Sequence, residues 1–88
     1  MKIKDGFILR KMPGMNLVMP TGENVKHFNG SLKLNDTGAF IFECLQKGRT
    51  PEETAQALIT EYDVELDTAS ADVQNTINSL IEVGVAGT

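Results

Sequence analysis

A strand that runs straight into an apolar helix constrains this chain more than any other feature. From Ser31 to Leu45 the sequence reads SLKLNDTGAFIFECL. Ser31-Leu32-Lys33-Leu34 alternates polar and apolar, the period of a half-buried strand. Asn35-Asp36-Thr37 then offers three side chains able to cap a helix. Ala39, Phe40, Ile41, Phe42, Cys44 and Leu45 follow, too apolar for a helix with one buried face and far too short for a bilayer span. The stretch therefore predicts a third strand over Ser31–Leu34 and a first helix from about Asp36 to Lys47. Residues two apart do not share a helix face, so Phe40 and Phe42 must meet different neighbours. Phe40, Phe42, Leu45, Leu58, Ile77 and Leu80 are the expected core. Gly38 costs helix propensity, which implies a neighbour too close to admit a side chain.

Before this stretch the chain reads as sheet. Met1–Gly6 is expected to be a frayed lead-in. Phe7–Met12 and Met15–Met19 are strands joined by the turn pair Pro13-Gly14, and Pro20 closes the second because it has no N–H for a ladder. Asn24–Gly30 is an irregular loop pinned by Val25 and Phe28, with Asn29-Gly30 as a turn.

After it the chain reads as helix. Thr50, Pro51 and Glu53 are a capping box with proline at the first helical position. Ala55, Leu58, Ile59 and Tyr62 form one apolar stripe. Asp63–Leu66 is a linker with Val64 and Leu66 inward. Asp67 or Thr68 caps a third helix whose stripe is Ala69, Val73, Ile77, Leu80 and Ile81. Gly48 and Gly84 are helix-ending glycines, and Val85 folds back onto the second of these ends. The fold class is α+β and winged-helix-like: a three-stranded antiparallel sheet followed by a three-helix bundle, β-β-β-α-α-α. With 88 residues, the chain is expected to be a single domain over 1–88.

Charge is divided. All eight Lys and Arg precede Thr50, with four acids, while the rest carries eight acids and no base, so the halves stand at +4 and −8. Such asymmetry speaks to partners or to a basic sheet lying against acidic helices. A secretory signal is not visible, so the expected location is cytoplasmic, with no membrane association. Cys44 is the only cysteine and His27 the only histidine, so no disulfide, metal site or catalytic set can be assembled from them. No cofactor and no enzyme activity are expected.

Two binding readings compete. A helix-turn-helix would read DNA through its second helix, but helix 3 has Asp72 and Glu82 and no Lys or Arg to meet phosphates. A winged-helix DNA-binding regulator is therefore the weaker alternative, and duplex DNA is not an expected partner. An exposed strand edge at Ser31–Leu34, bordered by helix 3, could instead accept an extended peptide as a further strand. On the residues alone, a generic protein contact or a homodimer through the same edge stays open.

The whole pattern is familiar. Val18–Gly22 (VMPTG), Phe28–Leu45 (FNGSLKLNDTGAFIFECL), the Gly48-x-Thr50-Pro51-Glu52-Glu53 helix start and the closing Leu80-Ile81-Glu82-Val83-Gly84 resemble the PqqD-like family. These are peptide-recognition domains of ribosomally made, post-translationally modified peptide pathways. The resemblance implies a non-catalytic, winged-helix-like protein that binds the leader segment of a precursor peptide. The leader lies as an added strand, and the protein presents it to a modifying enzyme, often a radical SAM enzyme. By position, the peptide-binding residues implied are Ser31, Leu32, Lys33 and Leu34 on the strand. On helix 3 they are Val73, Asn75, Thr76, Ile77, Leu80 and Val83. The second and third strands are joined by a longer segment, Glu23–Phe28, than in shorter members, so the resemblance implies a PqqD-like protein without naming PQQ synthesis as its pathway.

Overall fold

A computed structural model describes residues 2–22, 25 and 31–87. The predicted α+β order is observed, with two short strands added at the ends. The strands are β1 (Lys2–Ile3), β2 (Phe7–Met12), β3 (Met15–Pro20) and β4 (Leu32–Leu34). The helices α1 (Asp36–Gln46), α2 (Pro51–Tyr62) and α3 (Leu66–Glu82) follow, and β5 (Ala86–Gly87) ends the described chain.

The three-stranded sheet has the order β2-β3-β4, antiparallel throughout. Register sets Leu9 beside Val18 and Val18 beside Leu32. Val18 is fully buried, and Leu9, Leu32 and Leu34 pack against the core. Strand alternation therefore turns Phe7, Leu9, Asn16, Val18, Leu32 and Leu34 toward the helices. α1 is the helix that packs on this sheet, and α2 and α3 pack on α1 and on each other. The core accordingly lies between the sheet's inner face and the three helices, with Ile41, Phe42, Leu58 and Leu80 at its centre.

Local chemistry sets the helix limits. Asn35 caps α1, its Oδ1 accepting from the Gly38 N–H at 2.8 Å. A Cβ on Gly38 would stand 3.1 Å from that Oδ1 and 3.3 Å from the Leu34 Cβ, so the close neighbour the glycine implied is the end of β4. The capping box at α2 is complete: Glu53 N–H donates to Thr50 Oγ1 at 3.0 Å, and Thr50 N–H donates to Glu53 Oε1 at 2.8 Å. The bond from the Thr50 N–H, helped by the Thr50 side chain, holds the Glu53 carboxyl below its ordinary value.

α3 ends in a Schellman turn, with Val85 N–H donating to Leu80 O at 2.8 Å and Gly84 N–H to Ile81 O at 3.1 Å. Val85 and Leu80 are both fully buried, which supplies the apolar contact of that motif. The turn carries Ala86–Gly87 back to pair with Lys2–Ile3, and Lys4 N–H donates to Val85 O at 2.9 Å. The lead-in is thus not frayed: Ile3 is buried, held by a pairing across the whole chain that no local pattern announces. Gly84 sits at φ +85° with open space where a Cβ would go, so its role is conformational alone. Gly84→Ala should lower stability by about 1 kcal/mol without changing the urea m-value. An unchanged urea midpoint would contradict this.

Other expectations shift. β4 begins at Leu32, with Ser31 exposed just before it. α1 stops at Gln46 and Lys47 is its cap residue. α3 starts at Leu66, after Glu65 in cap position with no side-chain bond, rather than behind Asp67 or Thr68. Asp63 turns α2 off in the left-handed conformation, which leaves little chain before the next helix. Leu66 is 52% exposed: it shares a rotation with Val73, but two turns earlier, beyond the rim of the core. Ile81 is 40% exposed because one residue past Leu80 rotates it off the buried stripe. Phe42 is fully buried, whereas Phe40 is half-buried and meets the half-exposed Tyr62 edge-on, centroids 5.6 Å apart. Val25 is exposed rather than buried, while Phe28 and the Asn29-Gly30 turn lie outside the described residues.

Candidate functional site

β4 is three residues long and ends the sheet. One side of it pairs with β3 through Asn16–Leu34, Leu17–Lys33 and Val18–Leu32, and among the described residues its other side has no strand partner. An unpaired edge presents a row of N–H and C=O groups that another extended chain can satisfy. Ser31 and Lys33 are exposed, whereas Leu32 and Leu34 turn into the core and hold the strand down.

The side chain that fixes this strand is Asn16. It is 4% exposed, and its Nδ2 donates to Leu34 O at 3.2 Å and to Asp36 Oδ1 at 3.0 Å. One buried amide therefore ties β3, the last residue of β4 and the first turn of α1 together. A polar group at that depth is kept only when hydrogen-bonded. The sequence signal was present: an asparagine between Met15 and Leu17, in phase with the inward Val18.

α3 borders the same core. Val73, Ile77 and Leu80 belong to the buried cluster against which Leu32 and Leu34 pack. Thr76 is 8% exposed, and its Oγ1 donates back to Asp72 O at 2.9 Å. Asn75 is exposed and Val83 partly so. The expected helix-3 set therefore divides: Val73, Thr76, Ile77 and Leu80 are buried, and Asn75 and Val83 reach the surface. Ser70, Val73 and Gln74 line a small cavity with Pro51, Glu52 and Ala55, which marks that flank as the α2 side. Helical rotation puts Asp72, Thr76, Ser79 and Val83 on the other flank, with Asn75 at its outer margin. Asp72 and Ser79 there are half-buried.

Charged side chains lie around the core near this edge. Lys11 Nζ pairs with Glu43 Oε1 at 2.8 Å across the inner sheet edge, and that carboxylate raises the lysine's pKa. Among the described residues no three His, Cys, Asp or Glu side chains gather to hold a metal ion. No helix there is long and apolar enough to cross a membrane.

The sequence profile of Coenzyme PQQ synthesis protein D (PqqD) matches residues 17–86, from the middle of β3 to the start of β5. The chain belongs to the PqqD family. Two solved structures share the fold of this PqqD-family chain. Lasso peptide synthetase B1 complexed with the leader peptide superimposes with a TM-score of 0.77 at 26% identity, covering 99% of this chain and 96% of that one. TbiB1 in complex with the TbiA(beta) leader peptide gives a TM-score of 0.76 at 22% identity, covering 97% and 93%. No match was found among curated proteins. Every residue of the β4 edge and of α3 lies inside the family match.

Proposed function

We propose that this chain binds the leader segment of a precursor peptide and presents it to a peptide-modifying enzyme, without catalysing a reaction itself. The observation that carries this reading is the edge of β4, which has no strand partner among the described residues. In a family whose structural neighbours were solved with leader peptides, that edge is ready to take an added strand.

In this reading the backbone of Ser31, Leu32, Lys33 and Leu34 hydrogen-bonds the leader. Asn75, Thr76 and Val83 meet its side chains from α3, and Val73, Ile77 and Leu80 support that wall from beneath. Backbone bonds would give much of the affinity and the α3 flank the selectivity. Lys33 on the strand and Asp72 on the flank favour a leader carrying both signs of charge. The enzyme served is a radical SAM or similar peptide-modifying enzyme. The DNA-binding alternative gains nothing from α3, which carries no Lys or Arg along Leu66–Glu82.

Titrating a candidate leader peptide, followed by amide chemical shifts, tests the proposal. Shifts are expected on Ser31–Leu34 and on the α3 face from Asp72 to Val83. Shifts confined to β2 or to the outer face of α2 would place the peptide elsewhere. Loss of these signals with rising protein concentration alone would make the edge a homodimer contact.

A further inference from the structure

The sheet has a second face, of which the peptide reading uses only Lys33, at the β4 margin. Alternation turns Ile8, Arg10, Met12, Met15, Leu17, Met19 and Lys33 away from the helices. The assignment is secured from both sides: Asn16 and Val18 are buried inward, and Lys11 reaches Glu43 on α1, which leaves Arg10 and Leu17 outward. Register sets Ile8 beside Met19 and Met12 beside Met15. It also makes one row across all three strands, Arg10–Leu17–Lys33. Ile8 is 50% exposed, Arg10 and Lys33 are exposed, and the three methionines and Leu17 are half-buried. α1 covers the sheet from the opposite side.

This face is apolar at its centre, has cations at both ends of its middle row and, among the described strand residues, contains no acid. A contiguous apolar patch with a charged rim marks an interaction surface. Methionines suit such a surface because they adapt to the shape of what covers them.

We propose that the outer sheet face is the docking surface for the peptide-modifying enzyme, through a patch on that enzyme that is apolar at its centre and acidic at its rim. The inference rests on the reading of β4 as the peptide edge. A leader added beside β4 extends the sheet, so its alternate side chains join the outer face next to Lys33. An enzyme seated on that face would touch the carrier and the captured peptide together.

The geometry argues against a second copy as the occupant. A two-fold contact would set this face against itself, bringing Arg10 and Lys33 of both copies together with no carboxylate to offset them. A contact between this face and the acidic helical half of another copy is head-to-tail and has either to close into a ring or to run on as a fibre. An acidic partner meets neither difficulty.

The test uses a purified candidate peptide-modifying enzyme, with its affinity for the carrier measured with and without bound leader. Arg10→Glu should weaken enzyme binding about tenfold, and Ile8→Ser should weaken it too. Both variants should keep the parental leader affinity, since β2 lies two strands from the peptide edge. Lys47→Glu, a charge reversal off this face, is the control and should bind the enzyme as the parent does. Full enzyme affinity in Arg10→Glu overturns the proposal. So does a parental dimer that Arg10→Glu dissolves, which would make the occupant a second copy. Failure of the leader to bind would end the peptide reading alone, because the Arg10→Glu comparison without leader still reads the docking face.

Discussion

Phe42→Ala is expected to remove about 3–5 kcal/mol of stability, the cost of truncating a fully buried aromatic and leaving a cavity. Phe42 is 0% exposed at the centre of the one helix that packs on the three-stranded sheet and on both other helices. No neighbour can fill its place without moving several elements. A domain of this size has a stability of roughly 5–15 kcal/mol, so the variant stands close to unfolding at ambient temperature. Phe40→Ala, two residues away, should cost less, because Phe40 is half-buried and gives up mainly its edge contact with Tyr62. Urea unfolding of the three proteins measures both. A Phe42→Ala midpoint equal to the parent's would contradict the packing described.

Asn16 carries the second large effect. Asn16→Ala leaves Leu34 O without its side-chain donor and opens a hole under the β4–α1 junction, for about 1–3 kcal/mol. Asn16→Asp keeps the volume and is expected to be worse at neutral pH. It removes the donor and sets a buried carboxylate against Asp36 Oδ1, which the amide now contacts at 3.0 Å. Burial and like charge raise the folded-state pKa of the introduced carboxyl above its unfolded value. The deficit is therefore present above that raised pKa and disappears as pH falls below the unfolded carboxylate range, where the protonated group can donate again. Both variants should weaken leader binding by more than their loss of folded population explains, because Leu34 loses its anchor at the end of the peptide edge. Stability from urea titration and leader affinity from isothermal calorimetry separate the two contributions. An Asn16→Asp deficit that is constant from neutral pH to pH 4 would contradict the contact.

Much of this architecture was legible because its causes are local. Thr50-Pro51-x-Glu53 starts a helix by satisfying its own backbone, and Gly38 announced a close neighbour that proved to be Leu34. Leu80, Gly84 and Val85 close α3 within six residues. What escaped depends on distance. β1 and β5 are two residues each and pair only because the fold brings the chain ends together. Ile81 and Leu66 fit an apolar period, yet burial depends on where the helix sits over the core, which periodicity does not carry. The same limit blurred the site. Strand alternation identified Leu32 and Leu34 as inward and Lys33 as outward, but the α3 residues chosen by position include Leu80, which has no exposed surface. Asn16 was missed because its two partners lie 18 and 20 residues away.

Hydrogen–deuterium exchange of the β4 amides, with and without a candidate leader peptide, tests the central claim most directly. The outward-facing amides of Ser31–Leu34 have no strand partner among the described residues and should exchange quickly in the free protein. With saturating leader they should become protected, together with slower exchange along α3 from Asp72 to Val83, while β2 is unchanged. Tight leader binding that leaves the Ser31–Leu34 amides exchanging as before would contradict the account.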